Sequence, residues 1–600
     1  MKKAHEILSL SLLNSKKSKT VLRLALIFFG VGFFVFGAGI SKASAATYYV
    51  RADGTVTCAN KANATSPNSV GTALSMAQVN ACTFLAGESV LFSSQGGNYT
   101  TTLILPSGGS GVGTEITYGK VLNETPAITG TFSPMINTNS KSNVKVVGFS
   151  VTYSGTDVSA NGIAITGNSS SNITISSSTV NMGGYGYAVS SGANTLSNVN
   201  INSNTLLGGR TGNPSLYFYG TSLSNFSITN HTVTESGWGT RLKNINGLTI
   251  NGFNMSGSPS ATGLSIESGS GVISVSNLTI NTTTAPGLTI INSSGVTVSN
   301  SSYTGKGYGY YVQSNSSNIS LINDTSDGLT VGGGFYEVDS SNVSYTDCTA
   351  INGGSYAQFS ATTNTGVSSN ISYLRCHAGS QSMPNYSNGF VTKGSVSGVT
   401  YTNCTADYNS ALGFAALESS SNVTYKYCSS SYNGTVNITS DGGGFLPHNT
   451  ATNVNVYYSI THHNYNEGFG DVSSGVNTVY NSISWANGHA VGDIFKGSTV
   501  TTPSTRGNIY MSGNKSAGSV TIKNTITGEG KPREIMNATN SAYTIFDYNL
   551  YYPLDNSKFY SIDAVSNSSW STYHATNEAH SQNTNPLFTI WWFPLSTQLN

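Results

Sequence analysis

Asn342 to Ala350 reads NVSYTDCTA, Asn370 to Ala378 reads NISYLRCHA, Val399 to Ala406 reads VTYTNCTA, and Asn422 to Ser430 reads NVTYKYCSS. In each, a β-branched residue and a Tyr lie two apart, with a Cys three residues after the Tyr. A spacing of two puts both side chains on one face of an extended strand. The phrase returns about every 24 to 28 residues, within the range of solenoid repeats.

Outward from these four copies, the same alternation follows an Asn or Gly marker along most of the chain. The markers are Asn143, Asn172, Asn198, Asn225, Asn246, Asn277, Gly295, Asn318, Asn342, Asn370, Gly398, Asn422, Asn453 and Asn477. Units of this length, with short strands, Gly, Asn and Ser between them and no helical period, predict the coils of a parallel β-helix. Coils stacked about 4.8 Å apart bring equivalent positions above one another. Tyr345, Tyr373, Tyr401 and Tyr425 are therefore expected to form an aromatic stack, and Cys348, Cys376, Cys404 and Cys428 a second ladder. Stacked cysteines point in parallel, which favours buried thiols over bridges. Cys58 and Cys82 precede the repeats and are expected to form a disulfide.

Composition agrees with an array. Only 8% of the 600 residues are charged, with 67 Gly, 34 Tyr and 14 Pro. A formal net charge of +1 gives no field to recruit nucleic acid. At the N-terminus, Lys2, Lys3, Lys16, Lys17, Lys19 and Arg23 precede an apolar run from Leu24 to Ile40, and Ala43 to Ala45 offers a small-residue cleavage pattern. This reads as an export signal over 1–45, with an uncleaved anchor as the alternative. The remaining expected divisions are an N-terminal cap with the first coils over 46–135, repeats over 136–530, and closing coils with a cap over 531–600. In Thr72 to Gly87, Leu74, Ala77, Ala81 and Leu85 fall at helical intervals. They predict a short amphipathic helix closing the open end of the solenoid.

Three stretches carry a resemblance: ATYYVRADG from Ala46, AQVNACTFLAGESVLFSSQGGNY from Ala77 and SGGSGVGTEITYG from Ser107. They resemble the opening of secreted right-handed parallel β-helix proteins of the pectate-lyase-like superfamily. DYNLYYP (Asp547 to Pro553) and HSQNTNPLF (His580 to Phe588) are similar to their closing segments. The resemblance implies an all-β, right-handed parallel β-helix and an extracellular polysaccharide as partner. The reaction stays open, because such folds host lyases, hydrolases, epimerases, esterases and adhesins.

Charged residues concentrate between Asp407 and Lys496. Aligning coils on a recurrent Gly-Phe (Phe390, Phe414, Phe445, Phe469, Phe495) places Lys496 one residue, and Lys393 and His448 three residues, after an inward Phe, hence outward. Glu467 and Asp493 lie two residues before their Phe and are expected to stack on adjacent coils near Asp471. That inventory suits β-elimination from a uronic-acid polymer, in which the sugar carboxylate is neutralised by Ca2+ or basic groups while a base removes the neighbouring proton. GDIFKGS is similar to the strand carrying a lysine base in lyases of the superfamily. The resemblance thus implies Lys496 as base, Glu467, Asp471 and Asp493 as Ca2+ ligands, and Lys393 or His448 as binders of substrate carboxylates. Two alternatives stand beside the lyase. One is a glycoside hydrolase using Asp441, Glu467 and Asp493; the other is a non-catalytic surface solenoid whose tyrosines stack on glycan. The expected state is a monomer with no membrane contact beyond the export signal. His462 and His463 are adjacent on an extended stretch and are expected to diverge, His231 and His377 read as structural, and Gly528 to Ile535 reads as a solvated turn.

Overall fold

The computed structural model describes residues 45–208, 213–235, 237–328, 333–353, 356–379, 387–434, 442–488, 506–512, 519–531, 533–537, 544–553, 559–562, 566–571, 573 and 580–583. The expected signal segment, Asp441, Asp493 and Lys496 lie outside them. From Tyr48 onward the chain coils through three parallel sheets, one strand per sheet per turn. One turn runs Phe335–Val338, Ser341–Thr346 and Thr349–Ile351 on the third, first and second sheets respectively. Each strand pairs in parallel with its equivalent in the next turn: Phe335 with Phe359, Val343 with Ile371, Thr349 with His377.

Corners explain the markers. Asn143, Asn172, Asn198, Asn225, Asn318, Asn342, Asn370, Asn422 and Asn453 all have φ between 53° and 57°. Gly247, Gly271, Gly295 and Gly398 fill the same corner at 69° to 80°. Only Gly and Asn enter this left-handed region at low cost, which is why the two alternate there. The Asn side chains also bond along the axis: Asn172 Nδ2 donates to Asn143 Oδ1 at 2.6 Å, Asn198 to Asn172 at 2.9 Å, and Asn370 to Asn342 at 3.2 Å. Three marker assignments are corrected. Gly247, not Asn246, takes the left-handed corner; Asn277 belongs to the following corner, where its amide reaches Asn251; and Asn477 sits within a strand opposite Val454.

The core follows the predicted ladders. Tyr345, Tyr373, Tyr401 and Tyr425 stack with centroids 4.6 to 4.9 Å apart. Phe335, Phe359, Phe390, Phe414 and Phe445 stack opposite them at 4.7 to 4.8 Å. The two columns meet edge to face, as Tyr345 does with Phe335 at 78°. Parallel stacking within a column is imposed by the turn spacing, and edge contacts between columns satisfy the ring quadrupoles. Cys348, Cys376, Cys404 and Cys428 are buried free thiols, and Cys58 is bonded to Cys82.

The N-terminal helix is shorter than the sequence pattern suggests. It spans Met76–Ala81, with the Ser75 hydroxyl accepting from Gln78 N at 3.3 Å, and buries Met76 and Val79. Leu74 instead bridges to Val50 and Val56, and Leu85 is 66% exposed.

Polar groups also line the interior. Asn409 Nδ2 donates to Asn433 Oδ1, Asn433 to Asn464, Asn464 to Asn487 and Asn487 to Asn508, each at 2.9 Å. Asn508 donates to Glu534 Oε2 at 2.6 Å, and Gly530 N donates to Glu534 Oε1 at 2.8 Å. Gly528 to Ile535 is therefore not simply a solvated turn: Glu534 is 1% and Arg533 8% exposed. Glu337 points inward, in register with Val312 and Ala361, and accepts from Ser340 N and Ser368 Oγ. Burial pushes the carboxyl of Glu337 up to about 8, and those of Asp324 and Glu534 up to about 7.

Two expectations follow. Asn370→Gly keeps the left-handed corner and should cost less than about 1 kcal/mol, whereas Asn370→Val forces a β-branched residue to positive φ and should cost about 1–2 kcal/mol; paired thermal melts decide. The three buried acids have folded pKa values above their unfolded values near 4, so folding takes up protons. Their contribution to stability is full below pH about 4 and is lost, by about 1.4 kcal/mol per pH unit per acid, as pH rises to 7 to 8. Glu337→Gln should flatten this slope by one proton in denaturation curves recorded from pH 5 to 8.

Candidate functional site

Lys393 and His448 lie on one outward column of the third sheet, as expected. Lys393 pairs with Leu417, and Ala416 with Pro447, which carries the column on to His448; His448 pairs with Val472. The Lys393 ammonium sits 3.3 Å from Glu418 and 5.1 Å from the Tyr356 ring centroid.

The remaining described candidates are placed differently from expectation. Phe469 pairs with Ile509 on the next described strand of the third sheet, and Phe495 and Asp493 lie outside the described residues. Glu467 is fully buried, and its Oε2 accepts from Arg506 Nη1 at 3.0 Å. Two glycines make room for the carboxylate: a Cβ on Gly443 would lie 2.7 Å from Glu467 Oε1, and one on Gly470 would lie 2.7 Å from Glu467 Cγ. Arg506 in turn covers the Tyr510 ring at 4.3 Å. Asp471 lies two residues beyond the inward Phe469 and is buried. Its Oδ1 accepts from Ser473 N and Oγ at 2.9 and 2.8 Å, and its Oδ2 from Asn477 Nδ2 at 2.9 Å. These two carboxylates, one bound to a guanidinium and one surrounded by protein donors, do not fit a shared Ca2+ ion. Among the described residues no group of three or more His, Cys, Asp or Glu could hold a metal.

The clearest surface feature was missed by the sequence reading. Tyr217, Arg241, Ser265, Thr289, Tyr311 and Tyr336 occupy one outward position on consecutive turns of the third sheet. Trp238, Arg241, Glu267, Pro286, Tyr311 and Gln313 line a groove there of about 280 Å³. Arg241 donates from Nε to Glu267 Oε1 and from Nη2 to Oε2, both at 2.7 Å. Its guanidinium lies 4.8 Å from the Trp238 ring and 5.8 Å from the Tyr217 ring. The fork geometry and the flanking rings hold the guanidinium plane in place. Burial acts to raise the Glu267 carboxyl, but the hydrogen bonds from Arg241 and Ser265 and the positive charges of Arg241 and Lys243 together outweigh it, and the pKa ends below the ordinary value. Extending the alignment of inward Phe back through Phe359, Phe335, Tyr310, Leu288 and Leu264 would have exposed this column; the phenylalanine search stopped short because Tyr and Leu replace Phe there.

The second sheet carries histidines on its outward side. His377 Nδ1 and Thr405 Oγ1 are 2.7 Å apart, and Ser431 Oγ donates to Asp407 Oδ1. Burial lowers the His377 pKa and raises that of Asp407. His231 is fully buried against Phe253, in keeping with a structural reading. His462 and His463 do not diverge: their Nδ1 atoms are 3.0 Å apart. The cause is the left-handed backbone at His463, φ 54°, which breaks the alternation of an extended strand.

Residues 161–326 match the family model described as a right handed beta helix region. The parallel β-helix is thus right-handed. No curated protein matches the chain. Among solved structures, this right-handed β-helix is similar to pectate lyase Pel9A, at 12% identity and TM-score 0.21, covering 80% of each chain. It is also similar to the A-module of Azotobacter vinelandii mannuronan C-5 epimerase AlgE4, at 11% identity and TM-score 0.26, covering 59% of this chain and 91% of that one. A third likeness is to the PL6 family alginate lyase AlyGC, at 9% identity and TM-score 0.26, covering 78% of this chain and 86% of that one. At such identities and scores these likenesses carry no inference about activity.

Arg506→Ala should strand the Glu467 charge in a buried setting and cost about 3 kcal/mol. Adding Glu467→Gln to that variant should recover more than half of the loss, as read by thermal unfolding of the single and double variants.

Proposed function

We propose that this right-handed β-helix is a carbohydrate-active protein that holds an acidic polysaccharide along the outward face of its third sheet. The observation that carries the reading is the groove at Trp238, Arg241, Glu267 and Tyr311, in which aromatic faces meet a fixed guanidinium and carboxylate. Sugar rings present apolar C–H faces to aromatics and hydroxyls to planar polar groups, so this pairing suits a glycan. Lys243, beside Glu267 in register, adds positive charge for a uronate. The same outward column passes from Lys243 through Glu267, Ile291, Gln313, Val338 and Thr362 to Lys393, six turns or about 29 Å along the axis. A polymer lying along it would meet a cation near each end.

Within that reading, β-elimination is the reaction to test, with Lys393 and His448 offering positive charge to the sugar carboxylates and Lys496 as the base. No step is assigned to Ca2+. Binding without cleavage is the second reading, favoured by the protein-bound state of Glu467 and Asp471. Secretion is part of the proposal, since the polymer would be extracellular.

Purified protein is incubated with pectate, alginate and glycosaminoglycans, with and without a chelator, while ultraviolet absorbance follows unsaturated products and calorimetry follows binding. Binding to at least one polyuronate, weakened tenfold or more by Trp238→Ala and Arg241→Ala, supports the groove. Product formation abolished by Lys496→Ala adds the lyase. Binding that is insensitive to both groove variants removes the groove from the site.

A further inference from the structure

Inside the aromatic core, the four stacked tyrosines face a column of the third sheet. That column runs Glu337, Ala361, Thr392 and Ala416 on consecutive turns, and all of them are fully buried. Thr392 shows which residue meets which: its hydroxyl lies 2.8 Å from that of Tyr401 in the same turn. The register of both sheets then sets Glu337 opposite Tyr345, Ala361 opposite Tyr373 and Ala416 opposite Tyr425. Pairing follows the column. The hydroxyls of Tyr345, Tyr373 and Tyr425 have no hydrogen-bond partner among the described residues, and neither does Oε2 of Glu337, whose Oε1 is turned to Ser340 and Ser368.

A buried hydroxyl or carboxyl without a partner is costly, so a cluster of them calls for a donor and acceptor in their midst. They cannot serve one another directly. The ring of Tyr373 is within 5° of parallel to those of Tyr345 and Tyr401, with centroids 4.8 and 4.6 Å apart. Their hydroxyls keep about that interval, which is beyond hydrogen-bond reach, whereas an atom set about 1.5 Å to one side of the line reaches two successive hydroxyls at about 2.8 Å each. Ala361 leaves that side open, because it lacks the hydroxyl and the methyl that Thr392 carries one turn on. Water is the ligand of that size. A buried water asks for about two to four polar partners, and Tyr345, Tyr373 and Glu337 supply them.

We propose that one ordered water lies beside Ala361 and bridges the Glu337 carboxyl to the hydroxyls of Tyr345 and Tyr373. Burial pushes the Glu337 pKa up to about 8, so the carboxyl carries its proton at neutral pH. That proton sits on Oε2 and is donated to the water, because Oε1 already accepts from Ser340 N and Ser368 Oγ. The water donates one hydrogen to each phenolic oxygen. A polar path thus runs from Ser368 through Glu337 to Tyr373 within a wall of aromatic rings, independent of the glycan groove on the outward face.

The test joins a high-resolution crystal structure of the purified protein to thermal melts of variants that keep the shape of the core. Density for one water within about 2.6–3.2 Å of both Tyr373 Oη and Glu337 Oε2 is expected. Tyr373→Phe removes one bond of that water and should lower the melting temperature by about 1–2 °C, as Tyr401→Phe should by losing its bond to Thr392. Ala361→Thr places a hydroxyl where the water lies, and its crystal structure should show the Thr hydroxyl on Tyr373 with the water displaced. Absence of density beside Ala361 in the parent overturns the proposal. So does a melting temperature raised by Tyr373→Phe, since removing a hydroxyl that has no partner relieves the core.

Discussion

Each turn of this solenoid can stack on the next only if the chain bends at the same place every time. The bend requires a left-handed residue. Asn and Gly at the corner before the first-sheet strands from Val144 to Asn453 meet this requirement, and the strands, the core ladders and the outward columns inherit their register from it. Once the corners are fixed, a residue's neighbours are determined by its counterparts one turn above and below, more than by its position in sequence. The core shows this: five phenylalanines and four tyrosines spread over more than a hundred residues pack as two columns of rings.

The same constraint explains which parts of the fold were legible in the sequence. The Tyr and Cys ladders were read correctly because each of their turns repeats one phrase along the first sheet, whatever the length of the rest of the turn. Marker errors arose where a turn has two adjacent candidates, as at Asn246 beside Gly247, and where the pattern drifts, as at Asn477. Long insertions defeat the reading altogether. Phe469 pairs with Ile509, forty residues later, a separation longer than the one-coil step on which the Gly-Phe alignment rests. Glu467 and Asp471 were read as Ca2+ ligands, whereas their carboxylates accept from Arg506 and Ser473.

For candidate sites, alternation was the useful rule and also the misleading one. It placed Lys393 and His448 on one outward column. It also predicted that adjacent histidines diverge, which holds for extended backbone and fails at His463, where the corner turns the second ring back toward the first. The Arg241 groove was invisible for a different reason. Its residues are scattered singly over turns whose inward residues are aliphatic, and only the three-dimensional register brings Trp238, Arg241 and Tyr311 to one surface.

The amides from Asn409 to Asn508 all donate in one direction, toward Glu534. Such a row has a head and a tail: every interior member both gives and accepts, while the last needs an acceptor that asks for no further partner of its kind. A carboxyl supplies that ending. The row can therefore lengthen or shorten by whole coils, provided each new coil brings its own asparagine, without altering either terminus. A lineage of such chains could change length by duplicating turns between Asn409 and Asn487, whereas a coil carrying an aliphatic residue at that place would divide the row into two, each lacking one end.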